Sequence, residues 1–182
     1  MKNTIRVLIS IAVLSAVLVS SFVIFNSFFL NRTEKNYNTP IKVDLNGQSL
    51  PDFSFFSPTD STRLNVLDGR GGRPIVVLYF DPFCPFCMNQ IKDLIDSYDK
   101  LEGIDFLFIS PSQPNQVMKT YNEYNLKAYS NIRLGIDDQL TFLKHFSISK
   151  FPTMMLYDGN RRLIGVFEGV VSHGQILSYF KQ

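Results

Sequence analysis

The chain has 182 residues, a net charge of +2, two cysteines and no tryptophan. That length holds one ordinary domain with an appendage rather than two full domains, and 45% apolar with 19% charged residues excludes a disordered or collagen-like chain. So small a charge argues against nucleic acid as a partner, and two cysteines can build neither a disulfide-dense scaffold nor a four-cysteine metal or iron–sulfur site.

The basic excess sits at the start. In residues 1–36, Lys2, Arg6, Arg32 and Lys35 outweigh Glu34, whereas residues 37–182 hold 14 basic against 15 acidic side chains. Val7 to Leu30 is a run of 24 residues without a charge. At about 1.5 Å per residue it makes roughly 36 Å of helix, enough to cross a hydrocarbon core of about 30 Å. The expectation is an N-terminal transmembrane helix within residues 1–30. Lys2 and Arg6 keep the N-terminus in the cytoplasm and send the rest out. A cleaved signal peptide ending near Ser20–Ser21 is the competing reading, but the apolar run continues nine residues past Ser21. Both readings place the domain in the periplasm or outside the cell, and an inner-membrane anchor is the simplest picture. Residues 31–49 are polar and read as a tether.

From residue 50 to 182, short apolar strands alternate with amphipathic helices. Asp52–Phe56 reads as a strand, and the glycine-rich 68–74 as a turn; the latter lacks the ending of a phosphate loop. Pro74–Phe80 is a continuous apolar run of the kind covered on both faces. Met88–Leu101 places Ile91, Leu94, Ile95 and Tyr98 at helical spacing. Ile104–Ile109 and Asn131–Ile136 read as strands, Gln113–Tyr124 and Leu140–Phe146 as helices. Asp158-Gly159-Asn160 joins the strands Met154–Tyr157 and Leu163–Phe167 in a hairpin, and Ser172 caps a last helix. The pattern predicts an α/β fold, a mixed β-sheet flanked by helices on both faces.

Both cysteines fall in one motif, Cys84-Pro85-Phe86-Cys87, after the apolar strand and at the opening of a helix. A strand end exposes the first sulfur, and a helix N-terminus offers free N–H groups and partial positive charge to a thiolate. The spacing lets the second sulfur attack a mixed disulfide formed by the first. Pro85 suits a first helical turn because its missing N–H is not needed there. Two blander readings stay open. A structural disulfide this short closes too small a loop to stabilise much. A metal site would need His145 or His173, far along the chain and without ligand-like spacing.

The segment Val76–Cys87 resembles the active-site strand and helix of the thioredoxin superfamily. Phe151-Pro152-Thr153, leading into Met154–Gly159, resembles that superfamily's second signature, and Gly169 with Ser172–Gln175 its closing glycine and last helix. The resemblance covers about residues 50–182. It implies a thioredoxin-like sheet, Cys84 as nucleophile, Cys87 as resolving thiol, Pro152 as a cis-proline facing them, and Phe151 as the residue that pairs its backbone with an extended partner. Without the cysteine motif, Pro152 would read as an ordinary strand-entry proline.

Between Cys87 and Pro152 lie 64 residues. This insert around Pro111–Gln139, the start Leu50-Pro-Asp-Phe53 and the anchor are similar to the membrane-anchored TlpA/ResA-like, redoxin-like branch. Membership there implies an extracytoplasmic thiol–disulfide oxidoreductase that reduces disulfides of envelope proteins, often apocytochromes c, and draws electrons from an upstream membrane thiol donor. It implies no cofactor beyond the redox-active Cys84–Cys87 disulfide, and no metal. A copper-binding or electron-transfer accessory, an adaptor with this fold and a DsbA-like oxidase are the alternatives. The chain also departs from the pattern. Phe83 stands where a tryptophan is usual, and Leu78 where thioredoxin has a buried acid. Glu123 in the insert is a candidate to serve that acid's role, against a plain solvated reading. Asp81, three residues before Cys84, would oppose thiolate formation if it lies close. It also stands where a peroxiredoxin would need threonine or serine, so peroxidase activity is discounted.

Overall fold

The structure, a computed structural model, describes residue 6 and residues 14–25, 47–68 and 71–181. The chain divides into two units, Met1–Asn36 and Tyr37–Gln182. In the first, residues 14–25 are helical and exposed throughout, large apolar side chains such as Leu14, Leu18, Phe22 and Ile24 included. The remainder of the expected membrane span, 7–13 and 26–30, and the tether residues 31–46 lie outside the described residues. Among the described residues no helix is long and apolar enough to cross a membrane.

The second unit is built on a seven-stranded mixed sheet. Its strands are β1 (Ser54–Ser57), β2 (Thr62–Asn65), β3 (Ile75–Tyr79), β4 (Asp105–Ser110), β5 (Ile132–Ile136), β6 (Thr153–Tyr157) and β7 (Leu163–Glu168), in the spatial order β2-β1-β5-β4-β3-β6-β7. The three central strands β3, β4 and β5 are parallel, and the pairings outward from them are antiparallel. Four α-helices accompany them: α1 (Pro85–Asp96), α2 (Pro114–Glu123), α3 (Thr141–His145) and α4 (His173–Phe180).

The continuous apolar runs of the central strands feed two cores. Because side chains alternate across a strand, Val76 and Leu78 point to one face and Ile75, Val77 and Tyr79 to the other. The first face is covered by α1 through Ile91 and Leu94, α2 through Val117 and α4 through Ile176. The second is covered by Phe142 of α3 with Leu50, Phe53 and Val66 from the start of the unit. All ten residues of β3 and β6 are buried. The chain thus leaves β3 over one face and enters β6 from the other. Because β3 and β6 run antiparallel, the end of β3, which leads to the cysteine motif, lies beside the start of β6.

Three elements differ from the sequence expectation. The strand Thr62–Asn65 was not expected. It is a short, largely solvated edge strand that follows a tight turn with Ser61 at φ 60°, and it has no apolar run to announce it. The helix expected over Met88–Leu101 begins at Pro85, ends at Asp96, and is followed by a 3-10 turn over Tyr98–Leu101. There Tyr98 leaves the helical path to donate to the Asn131 side chain at 2.6 Å and pack on Tyr129. Residues 47–49, assigned to the tether from sequence, already belong to the sheet margin: Gly47 N–H donates to Leu163 O, Leu163 N–H to Gln48 O, and Ser49 bridges to Arg162.

Candidate active site

Cys84 is the N-cap of α1, with an extended backbone (φ −84°, ψ 113°) and no side-chain cap bond; Pro85 occupies the first turn. The Cys84 carbonyl accepts the N–H groups of Cys87 at 3.0 Å and Met88 at 3.2 Å, so the motif is already helical. Asp81 braces this corner three times. Its carbonyl accepts the Cys84 N–H at 3.1 Å, its carboxylate accepts the Phe83 N–H at 2.7 Å, and its own N–H donates to the Cys87 sulfur at 3.5 Å.

The two cysteines are free thiols in unequal settings: Cys84 is half-buried and Cys87 fully buried. Burial pushes the Cys87 thiol far above its ordinary value, the Asp81 N–H opposes this, and the hydrogen bond with Cys84 and the charges of Cys84 and Asp81 add to it. Asp81 is therefore near enough to act on a thiol, but the thiol is that of Cys87. Leu78 is buried in the same core as Cys87, so the place of the family's acid is apolar.

The Cys84 sulfur donates to the carbonyl oxygen of Phe151 at 3.7 Å. The Phe151–Pro152 peptide is cis. Pro152 is buried, and its carbonyl accepts the N–H of Gly169 at 2.7 Å, with Gly169 at φ 92°. Thr153 begins β6. It pairs with Tyr79, the last rung of the β3–β6 ladder, and its hydroxyl donates to Lys150 O at 2.8 Å. Pro85, Phe83 and Phe86 stand in solvent around the half-buried Cys84; the two rings are 72% and 63% exposed. The structure therefore brings together Cys84, Cys87, Phe83, Pro85, Phe86, Phe151, Pro152 and Thr153.

Glu123 is not part of this group. It is exposed at the end of α2, its charge acts on Tyr124, and among the described residues no hydrogen bond joins it to either thiol. The histidines are engaged elsewhere: His173 with Ser97 at 2.9 Å, and His145 edge-on to Phe146. Among the described residues no three metal-binding side chains gather in a cluster.

Sequence reasoning missed the residues behind the site. Gln90 of α1 is buried and makes two bonds to Val171, its amide donating to the carbonyl at 3.0 Å and its oxygen accepting the N–H at 2.7 Å. A glutamine on an otherwise apolar helix face was the available signal. Tyr79 reads in sequence as one more apolar strand residue, yet its hydroxyl donates to buried Asp137 at 3.0 Å. Asp137 itself accepts from the N–H groups of Thr141, Phe142 and Leu143, which open α3.

A thioredoxin-like family model matches residues 71–163, just over half of the chain, including both cysteines and Pro152. Peroxiredoxin Bcp of Escherichia coli (strain K12) is 28% identical over 128 residues, covering 68% of this chain and 77% of that protein. Among solved structures, a putative thiol:disulfide interchange protein DsbE from Chlorobium tepidum matches with a TM-score of 0.62 at 16% identity, over 74% of this chain and 96% of that one. A secreted Mycobacterium tuberculosis disulfide oxidoreductase homologous to E. coli DsbE gives 0.58 at 16%, over 69% and 95%. Peroxidoxin BcpB from M. tuberculosis gives 0.62 at 16%, over 75% and 96%.

Proposed function

The chain belongs to the thioredoxin-like family and is a thiol–disulfide oxidoreductase, and we propose that it works as a membrane-anchored, extracytoplasmic reductant of disulfides in envelope proteins. One observation carries the chemistry: a half-buried thiol at a helix start, beside a buried partner thiol and donating to a backbone carbonyl. Cys84, as thiolate, attacks one sulfur of the partner's disulfide and expels the other as a thiolate, leaving a mixed disulfide. Cys87 then loses its proton to solvent or a nearby base and attacks the Cys84 sulfur. The second partner thiolate leaves, and the Cys84–Cys87 disulfide remains. Two electrons have passed to the partner, and a dithiol donor at the membrane returns them. Burial of Cys87 supports this order, since it keeps that thiol protonated while Cys84 meets the partner.

The anchor reading rests on the uncharged run Val7–Leu30 and on the exposed apolar helix within it. The N-terminus then lies in the cytoplasm and the catalytic unit in the periplasm or outside the cell. Partners are disulfide-bearing envelope proteins, apocytochromes c among them. The deciding measurement is the reduction potential of the Cys84–Cys87 couple against glutathione or dithiothreitol buffers. A value of about −250 mV or lower fits a reductant, and one near −120 mV an oxidase and overturns the direction. Membrane fractionation of the full chain and of residues 37–182 tests the anchor.

The peroxiredoxin names among the relatives raise a second reading, peroxide reduction by Cys84. Asp81 weighs against it. Three residues before Cys84, its carboxylate accepts the Phe83 N–H, and it offers no hydroxyl donor to a peroxide oxygen. Hydrogen peroxide consumption, assayed with the same dithiol donor, separates the two.

A further inference from the structure

We propose that Tyr79, held by Asp137, is a positioning residue that fixes the Phe151 carbonyl for disulfides carried on a polypeptide, so that the enzyme favours these over small-molecule disulfides; this rests on the dithiol chemistry proposed above. Tyr79 ends β3, five residues before Cys84, and is fully buried. Its ring stacks nearly parallel with two others: Phe151 at 5.7 Å and 16°, Phe142 at 5.5 Å and 22°. A phenylalanine would fill that space as well. The hydroxyl adds one bond, to Asp137.

Asp137 is buried, and among the described residues no salt bridge reaches it. A buried carboxylate is costly unless donors surround it. Here four do: one oxygen accepts the N–H groups of Thr141 and Phe142, the other the Leu143 N–H and the Tyr79 hydroxyl. The carboxylate therefore ties the last residue of β3 to the start of α3, and the Phe151 ring stacks on the side chain so held.

What this holds in place is the Phe151 carbonyl. It lies beyond the last rung of the β3–β6 ladder and accepts from the Cys84 thiol. A partner sulfur bonded to Cys84 sits about 2 Å from it. The backbone N–H beside that sulfur then comes within reach of the same oxygen. A polypeptide disulfide has such an N–H, whereas 3,3′-dithiodipropionate, with carboxylates in place of nitrogen, has none. If the Phe151 ring is free to shift, the carbonyl shifts with it, and only the polypeptide substrate loses a contact.

The test compares the full chain in detergent with its Tyr79→Leu and Tyr79→Phe variants. Each is recycled by dithiothreitol and assayed on insulin and on 3,3′-dithiodipropionate. Tyr79→Leu is expected to raise the insulin KM about three- to tenfold, the worth of one hydrogen bond, while kcat and the dithiodipropionate KM stay within about twofold. Tyr79→Phe is expected to raise the insulin KM alone by about twofold or more. An unchanged insulin KM in folded Tyr79→Leu, or an equal rise for both substrates, overturns the proposal. If Tyr79→Leu does not fold, Tyr79→Phe decides, and an unchanged insulin KM overturns it. Cys84→Ser runs alongside: if it still reduces both substrates, the dithiol reading fails, whatever Tyr79 does.

Discussion

The Cys84 thiol and the Phe151 carbonyl are 67 positions apart in sequence and 3.7 Å apart in space, whereas Cys87, three positions from Cys84, is shut behind it. This asymmetry predicts an order of reaction. A short pulse of iodoacetamide on the reduced enzyme labels Cys84 ahead of Cys87. Cys87→Ser accumulates a mixed disulfide with substrate, visible on a non-reducing gel, and Cys84→Ser accumulates none. Labelling of Cys87 first would reverse the assigned roles.

The buried thiol also predicts how stability depends on pH. Below the ordinary value of 9.0, Cys87 is protonated in folded and unfolded chain alike, and its contribution is fully present. Above that pH the unfolded chain gives up the proton and the folded chain keeps it, so stability falls by up to about 1.4 kcal/mol per pH unit. Tyr79 and Tyr157, raised chiefly by burial, add the same trend above 10.0 in either redox form. The disulfide form has no Cys87 proton to lose. Urea melts of both forms at about pH 8, 9 and 10 should show the reduced form losing stability faster from 9 upward. Parallel curves would count against a buried, protonated Cys87.

Gln90 predicts a stability effect behind the site. Gln90→Leu leaves the N–H and C=O of Val171 buried without partners, at about 1–3 kcal/mol for each. Denaturant unfolding should register a loss of that size. A loss below about 0.5 kcal/mol would mean that water or a backbone shift replaces the glutamine.

Gly135 predicts an overpacking effect on the far side of the sheet. A Cβ there would meet the Phe55 ring at 2.2 Å, and Phe55 is fully buried. Gly135→Ala should cost about 1–3 kcal/mol. The companion variant Gly135→Ala/Phe55→Leu should recover part of it, and no recovery would place the strain elsewhere.

What was legible in the sequence follows from where the signals are local. The apolar run 75–79, the motif at 84–87 and the Asp158–Asn160 hairpin each carry their pattern within a few residues, and each is found near where expected. Edge strand β2 was illegible because pairing with β1, rather than its own composition, makes it a strand. The same holds at the site. Cys84 announces itself by spacing, but Tyr79 and Asp137 matter through a bond spanning 58 positions. Phe151 and Pro152 became legible only through a family resemblance. Asp81 reads in sequence as a threat to a thiolate, but its two bonds to the motif and its third to Phe83 depend on a turn that spacing does not reveal.

The separation of Cys84 from Phe151 also orders events while the chain folds. β3, α1 and β4 are near neighbours in sequence and can associate early, which brings the thiols to the surface of a partial sheet. The Phe151 carbonyl is placed only when β6 pairs with β3 across the intervening insert, a long-range closure of the kind that forms slowly. Until then Cys84 has a helix start but no carbonyl opposite it. A chain in which β6 has not yet paired therefore holds Cys84 without the Phe151 carbonyl opposite it. Competence for selective exchange comes with the last strands and so attests to completed folding.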